Sequence, residues 1–352
     1  MSDSVRGYPL RAFVICLIAY TTAQMDLALF GYAVPAIRAE FGLTLSEVMA
    51  IVSTAFLLGG ALLVLLGWLA DRVGRLPLFQ FSLLGSSFLV ALISIAPGVA
   101  TLTALRGASI AVGGLSYPIT GAIITEEMPA RLRGLFMGLL QIGYPLGWAL
   151  ASLWSMWLLT EYGWRQLFWV GLVSLPMVWV VRRYLREPPR SVAARSTEAP
   201  PRFSDLFASG IRERAITLFV AQFLFVWAYA ASIFLFPSFL REVRSLDAFN
   251  FSLLIGAGNA IGVLGYVLAA WIGERVWTRR NTVVLWTLLG AMLFQVLVWV
   301  PTTFGQILFV YALMSMFFYG SAAVKFAYLA EVFPTRIRAL AMACCGSLAV
   351  TM

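Results

Sequence analysis

Long apolar runs, separated by short clusters of charged and turn residues, cover nearly the whole chain. A helix needs about 20 mostly apolar residues to cross the ~30 Å hydrocarbon core of a bilayer. Cutting the chain at the polar clusters predicts ten complete spans: 12–37, 48–70, 76–96, 102–125, 135–159, 166–181, 215–240, 251–272, 282–300 and 306–329. An eleventh run begins after Arg338, and fourteen of its residues precede the end of the sequence, so we expect a partial span there.

The composition agrees with an all-α membrane protein. Hydrophobic residues make up 61% of the chain and charged residues 12%, and the mean hydropathy is +0.89. A soluble domain of this composition would expose large apolar patches. The three cysteines have no metal-ligand spacing and the sequence contains no histidine. The spans also hold no nucleophile beside a base, so we expect no enzyme activity, no metal and no cofactor.

The basic residues fix the orientation, because they concentrate in cytoplasmic loops. With the N-terminus inside, 19 of the 25 Lys and Arg residues fall in cytoplasmic loops and four in outer loops. The remaining two, Arg106 and Lys325, lie within spans. This placement suits a membrane surface better than nucleic acid as the reason for the net charge of +9. The sequence therefore predicts a multi-pass protein of the cell (inner) membrane with a cytoplasmic N-terminus.

Two loop patterns recur at almost the same offset. The acid–Arg pair that begins at Asp71, after the second span, returns at Glu274 after the eighth, 203 positions later. A Glu-x-x-Pro-x-Arg pattern that begins at Glu126, after the fourth span, returns at Glu331 after the tenth, 205 positions later. Two unrelated patterns that repeat in matching places indicate two homologous halves of six spans each.

The repeat divides the chain into three parts. Residues 1–181 are predicted to form an N-terminal six-helix bundle, 182–214 a cytoplasmic linker and 215–352 an incomplete C-terminal bundle. The linker contains two Pro-Pro pairs with scattered Ser, Ala and Glu, which is typical of a flexible tether. The offset would place the eleventh and twelfth spans at roughly 339–386, so we expect the sequence to be truncated in its eleventh span.

These loop patterns resemble the signature loops of the major facilitator superfamily, and the resemblance covers the whole chain. Residues 67–75 match its G-x-L-x-D-R-x-G-R loop, whereas Trp277 stands where Gly is usual in the second copy. The Tyr-Gly-Trp-Arg at 162–165 and the Arg-Glu-Pro-Pro-Arg at 186–190 are most similar to the metabolite and aromatic-acid:proton symporter branch. Asp26 keeps only the second acid of that branch's Asp-Gly-x-Asp pattern. The resemblance implies two pseudo-symmetric six-helix bundles and alternating-access transport.

Three charged residues lie inside the predicted spans: Asp26, Arg106 and Lys325. An intramembrane charge costs about 3 kcal/mol or more, so these side chains are the first functional candidates. The helical rise places Asp26 roughly 12 Å and Arg106 roughly 8 Å below the outer surface. The resemblance adds that the first and fourth spans both line the central cavity. We therefore predict that Asp26 and Arg106 form a pair.

Such a pair can couple a proton to a substrate. Burial disfavours an ionised carboxylate, a neighbouring guanidinium favours it, and the guanidinium stays charged throughout. When Asp26 is ionised the pair can accept a proton, and when it is protonated Arg106 is free to attract an anion. The hypothesis is proton-coupled symport, with Asp26 and Arg106 as the proton-coupling residues. The alternative is an ion pair that only holds the first and fourth spans in register.

The substrate-binding candidates combine charge with aromatic and amide groups. Lys325 lies within about 9 Å of the inner end of the tenth span, where it either snorkels to the cytoplasmic face or holds an anionic substrate. Apolar walls with a few polar groups suit a small solute, although the same groups also join helices. The candidates are Arg106, Gln141, Tyr144, Gln222, Trp227, Tyr229, Asn259, Tyr319 and Lys325.

The loop motifs predict a gate. Asp71 and Glu274 follow spans on the cytoplasmic side, where an acid can meet the positive N-terminus of a helix from the other half. The resemblance implies that Asp71 faces the eleventh span and Glu274 the fifth, closing the inner side in the outward-facing state. The alternative is that the basic residues only anchor loops near anionic lipid. The gating candidates are Asp71, Arg72, Gly74, Arg75, Glu126, Arg131, Glu274, Arg275, Glu331 and Arg336.

The sequence favours a monomeric secondary active transporter whose partners are protons, the lipid bilayer and a small organic solute, with an organic acid first. Efflux by proton antiport is one alternative. Gly138, Gly143, Pro145 and Gly147 approximate an exporter-like fifth span, but Tyr144 separates its Gly-Pro pair. Sugar symport is a second alternative. A receptor or a non-transporting fragment represents a different class.

Overall fold

Helices account for nearly all of the chain that the structure describes. The structure is a computed structural model, and it describes residues 7–73, 75–129, 132–187, 206–208, 210–229 and 235–333. Within these ranges the side chains at 64, 65, 67–73, 226, 229, 274, 326, 327 and 329–331 are not described. The described residues contain α-helices and 3-10 turns and no strand, which confirms the all-α fold class.

Six of the predicted spans are single helices. They are the first, Tyr8–Phe41; the second, Leu45–Val73; the third, Arg75–Ile93; the eighth, Ala248–Arg275; the ninth, Arg279–Trp299; and the tenth, Phe304–Val332. The first extends past its apolar run at both ends. It stops at Gly42, whose left-handed φ of 64° lets the N–H groups of Gly42 and Leu43 bond back to the carbonyl of Arg38.

The fourth, fifth and sixth spans consist of shorter helices, and the seventh is described in two parts. The fourth is Val99–Gly114 and Ser116–Glu127, and the fifth is Arg133–Leu140 and Gly143–Glu161. The sixth is Trp164–Leu167, the 3-10 helix Phe168–Ser174 and Leu175–Tyr184, and the seventh is Arg212–Tyr229 and Phe236–Glu242. Among the described residues, nine stretches are long and apolar enough to cross a membrane, and they match every predicted span except the seventh. The partial eleventh span lies outside the described residues.

The fifth span shows why the helix is interrupted inside a predicted span. Pro145 has no N–H to donate to the carbonyl of Gln141, so the regular ladder stops there. Gln141 and Ile142 instead bond three residues back, to Gly138 and Leu139, at 3.2 and 3.1 Å. The break therefore lies at Gln141, one of the candidate site residues.

A single buried cluster joins the two halves of the molecule. It contains Tyr32 and Trp148 from the first and fifth spans together with Tyr266, Tyr311 and Tyr319 from the eighth and tenth. The hydroxyl of Tyr32 donates to the carbonyl of Trp148 at 3.2 Å. The fifth and eighth spans pack along each other, and the first span contacts the second helix of the seventh, Phe236–Glu242. The candidates Tyr319, within this cluster, and Tyr144, packed against it, therefore lie at an interior shared by both halves.

Candidate functional site

Asp26 and Arg106 lie in one buried cluster between the first, fourth and sixth spans. The two residues are 3% and 2% exposed. Arg106 Nη2 donates to the main-chain carbonyl of Leu27 at 2.9 Å, and its guanidinium carbon lies 4.7 Å from the centre of the Phe30 ring. Ser174, at the end of the 3-10 helix in the sixth span, donates to Asp26 Oδ2 at 3.5 Å. The structure thus brings the two predicted residues together in the interior.

The direct contact predicted between them is absent in this conformation. Among the ion pairs of the described residues, none joins Arg106 to Asp26 within 4.0 Å. The guanidinium bonds to the carbonyl of the next residue, Leu27, rather than to the carboxylate. Asp26 Oδ1 is buried and has no hydrogen-bond partner among the described groups. That oxygen can take up a proton without breaking an existing hydrogen bond.

Lys325 is buried at its charged end. Its Nζ lies 3.2 Å from the centre of the Phe225 ring on the seventh span, and no described group accepts a hydrogen bond from it. The snorkelling account is therefore wrong for this structure. The ammonium turns to the face of an aromatic ring, which attracts a cation electrostatically, instead of to water.

Two candidate amide groups, one from each half, are buried. Gln141 Nε2 in the fifth span donates to the Tyr117 hydroxyl at 3.4 Å, and its Oε1 is buried without a partner. Asn259 in the eighth span donates from Nδ2 to the carbonyl of Ile255 at 2.8 Å and to the Tyr311 hydroxyl at 3.3 Å, and its Oδ1 is likewise unpartnered. Each amide is held by its nitrogen and leaves an acceptor for a further group.

Aromatic rings connect the two sides. The ring centre of Tyr144 lies 5.9 Å from that of Tyr319 in the tenth span and 6.3 Å from that of Trp148. The Tyr319 hydroxyl and Trp148 Nε1 are buried and lack partners among the described residues. Buried polar atoms in native proteins are nearly always satisfied, so several such atoms around one aromatic interior favour a solute site.

The seventh span contributes less than predicted. Gln222 is buried, whereas Trp227 is 62% exposed, with its ring centre 6.0 Å from that of Phe223 on the same helix. Gln222 and Trp227 are five residues apart, which separates them by roughly 140° around the helix axis. Their side chains therefore point in different directions. The structure therefore does not bring Trp227 into the interior group. The side chain of Tyr229 lies outside what is described.

Two of the gating candidates contact each other where the third span begins and the fourth ends. Arg75, at the start of the third span, forms an ion pair with Glu126, near the end of the fourth. Glu187 accepts hydrogen bonds from the main-chain N–H groups of Arg75 and Leu76 at 2.8 and 3.0 Å, and so caps the third span. These contacts join spans of the first half to each other and to the start of the linker, and they do not join the two halves.

The remaining gating candidates stay predictions. Arg275 is exposed at the end of the eighth span. Gly74, Arg131 and Arg336 lie outside the described residues, as do the side chains of Asp71, Arg72, Glu274 and Glu331.

The Tyr-Gly-Trp-Arg motif at 162–165 has a structural role that the sequence did not reveal. Arg165 donates to Glu40 Oε1 at 2.6 Å and to the carbonyls of Ser94 and Ala96, both at 3.0 Å. Trp164 Nε1 donates to Glu40 Oε2 at 2.6 Å. The motif thereby ties the first, third and sixth spans together at one end.

Sequence reasoning also missed the uncharged partners of the candidate residues. Ser174, Tyr117, Tyr311 and Phe225 carry no signal of their own, because serine and aromatic residues are frequent in apolar spans. Spacing offered a clue in one case. Tyr311 precedes Lys325 by fourteen residues, four helical turns, which places both on one stripe of the tenth span.

Comparison with known proteins gives consistent matches. The profile of the Major Facilitator Superfamily matches residues 16–349. The cis,cis-muconate transport protein of Acinetobacter baylyi is 27% identical over 344 residues, which cover 94% of this chain and 82% of that protein. The niacin transporter NiaP of the same organism is 27% identical over 358 residues, covering 90% and 78%. The crystal structure of a D-xylose-proton symporter has the same fold, with a TM-score of 0.73 and 17% identity over 98% of this chain and 88% of that one.

Proposed function

Because the chain belongs to the Major Facilitator Superfamily, and is a multi-pass membrane transporter rather than an enzyme, we propose that it carries a small organic acid together with protons. The muconate and niacin transporters among its relatives support this substrate class. The concentration of basic residues in alternate loops supports an orientation with the N-terminus in the cytoplasm of the cell's inner membrane. We further propose that it acts as a monomer.

The observation that carries the proposal is the buried cluster of Asp26, Ser174 and Arg106. Asp26 Oδ1 is free to accept a proton while Oδ2 keeps its bond from Ser174. Arg106 is bound to the adjacent carbonyl of Leu27 and stays charged, so protonation of the acid raises the net positive charge at this point by one. An anion is then attracted into the pathway, and it is released more easily once the proton has left.

The solute would bind among the unpartnered polar atoms of Gln141, Asn259 and Tyr319 and the ring of Tyr144. These residues come from both halves, so a rocking motion of one half against the other exposes the site to each side in turn. If the bound solute contacts both halves, it stabilises the state in which they are closed around it, so solute binding is coupled to the motion. In this scheme proton and acid cross together.

Uptake by proteoliposomes tests the coupling. The full chain is reconstituted, and a pH gradient is imposed with the acidic solution outside the vesicles. Accumulation of radiolabelled nicotinate and cis,cis-muconate inside them is then measured. We expect the wild type to accumulate at least one acid against its gradient. Asp26→Asn should abolish accumulation and retain exchange of labelled for unlabelled acid, because the substrate site is intact and only the proton site is lost.

Asp247→Asn is the matched control. Asp247 caps the eighth span by accepting the N–H of Asn250 at 2.8 Å, and Asn caps a helix equally well. The control should therefore accumulate acid like the wild type. Accumulation by Asp26→Asn at the wild-type level would leave only the structural role for this residue. Outward pumping by the wild type would favour the efflux alternative.

A further inference from the structure

Arg106 and Lys325, whose charged groups are buried, differ in what already surrounds them. Arg106 has a hydrogen-bond acceptor, the Leu27 carbonyl, and lies on the Phe30 ring. Lys325 has the Phe225 ring and no acceptor in the part of the chain that the structure describes. An ammonium has three N–H donors, and burying it without acceptors costs free energy that one aromatic face offsets only in part.

Lys325 stands at one end of a row of aromatic side chains. Phe318 precedes it by seven residues, which is two helical turns, so both lie on the same stripe of the tenth span, roughly 10 Å apart along the axis. Phe225, which contacts the ammonium, also stacks on Phe318 with ring centres 4.9 Å apart and planes inclined by 11°. Phe318 in turn meets Tyr319 at 5.9 Å, close to perpendicular.

The row continues into the other half of the molecule. Tyr319 lies 5.9 Å from Tyr144 of the fifth span, and Tyr144 lies 6.3 Å from Trp148. The Tyr319 hydroxyl and Trp148 Nε1 in this row are buried and unpartnered among the described groups. A flat molecule with a negative end would therefore find aromatic side chains along its body, polar atoms at its far end and an unsatisfied ammonium at its near end.

From this arrangement we propose that Lys325, rather than Arg106, is the residue that binds the carboxylate of the transported acid, with the body of the acid along the rings from Phe225 to Tyr144. The inference rests on the proposed function, since it presumes an acidic solute. A carboxylate on Nζ supplies the missing acceptors through charge-assisted hydrogen bonds. Arg106 then attracts the anion through its electric field, which is stronger when Asp26 is protonated, and does not contact it.

The test compares a carboxylate with its neutral amide. Uptake kinetics are measured in proteoliposomes for nicotinate and nicotinamide with the wild type, Lys325→Gln and Lys325→Arg. We expect Lys325→Gln to raise the KM for nicotinate at least tenfold with a smaller change in Vmax, so that the preference for nicotinate over nicotinamide disappears. Lys325→Arg keeps the charge and should retain that preference. Arg106→Gln should also retain it, although its coupling to the pH gradient is impaired.

A second variant keeps the inference testable if Lys325→Gln does not fold. Phe225→Leu removes the ring and retains the ammonium, so we expect it to weaken nicotinate binding several-fold while preserving the preference over nicotinamide. Wild-type uptake of nicotinate with an unchanged preference in Lys325→Gln would overturn the inference and leave the proposed function standing. Absence of pH-driven uptake of nicotinate and of cis,cis-muconate by the wild type would overturn the proposed function itself, and this inference with it.

Discussion

Arg38, in the last turn of the first span, forms an ion pair with Glu242, the last residue of the second helix of the seventh span. Arg38 also donates from Nε to the carbonyl of Leu43 at 3.3 Å, so its side chain is held in position. The two side chains are 17% and 47% exposed. Because the residues belong to different halves, the pair joins the halves at this end of the bundle. Under the proposed alternating access, it would stabilise the conformation that is closed at this end.

Removing one charge of this pair should favour the conformation that is open at this end, which is the outer side in the proposed orientation. Partly exposed ion pairs contribute about 0–1 kcal/mol, so Glu242→Gln should raise the population of that open conformation by up to about fivefold. The measurement is the distance distribution between spin labels at Ser46 and Val243, two exposed positions on the outer side, in a cysteine-free background. We expect a longer-distance component to grow in the variant.

Exchanging the charges provides the control. Arg38→Glu combined with Glu242→Arg restores the attraction and should return the distances towards those of the wild type. Neutralising a neighbouring exposed charge, with Arg241→Gln, should have no such effect. If Glu242→Gln and the wild type give the same distribution, the pair does not bias the two states.

Arg165 should contribute to stability rather than to substrate affinity. Its guanidinium donates hydrogen bonds to Glu40 and to the carbonyls of Ser94 and Ala96. These carbonyls follow the C-terminal end of the third span's helix, where a positive charge is favoured. A lysine cannot match this planar set of donors. We expect Arg165→Lys to lower stability by about 1–2 kcal/mol, or roughly 1–3 °C in the melting midpoint.

Thermal unfolding in detergent, followed by tryptophan fluorescence, measures this change. Arg241→Lys makes the same substitution at an exposed position on the outer side and should leave the midpoint unaltered. The KM for substrate should be the same in both variants, since Arg165 lies outside the aromatic interior. A fall in affinity without a fall in the midpoint would contradict this assignment.

The sequence predicted the spans well because the bilayer imposes a length and a polarity on each of them. Nine of the ten predicted spans correspond to helices long and apolar enough to cross a membrane. The depths of Asp26 and Arg106 followed from helical rise alone, and the structure places both in one buried cluster. Such estimates succeed because they depend on one helix at a time.

Features that depend on two or more helices were not predictable. The choice of Leu27 over Asp26 as the acceptor for Arg106 depends on how the first and fourth spans rotate against each other. The turn of Lys325 towards Phe225 depends on the seventh span, which apolar periodicity does not position. Trp227 was selected by residue type, and residue type does not indicate which face of a helix meets the interior.

The eighth and tenth spans are in close main-chain contact, which leads to a further prediction about stability. Gly265 in the eighth span lies against the main chain of Met316 in the tenth, where an added Cβ would overlap the Met316 carbonyl. Gly320 lies against the carbonyl of Gly265, so neither backbone can give way by rotating a side chain. Gly265→Ala should therefore separate the eighth and tenth spans and lower stability by about 1–3 kcal/mol.

Gly305→Ala separates this steric effect from helix propensity. Gly305 lies in the first turn of the same tenth span, and a Cβ there would meet nothing within 4 Å. Because alanine lowers the conformational entropy of the unfolded chain, this variant should be neutral or more stable by about 0.4–1 kcal/mol. Melting midpoints of the two variants in the same detergent decide the matter. Equal midpoints would mean that the eighth and tenth spans are not in main-chain contact at Gly265.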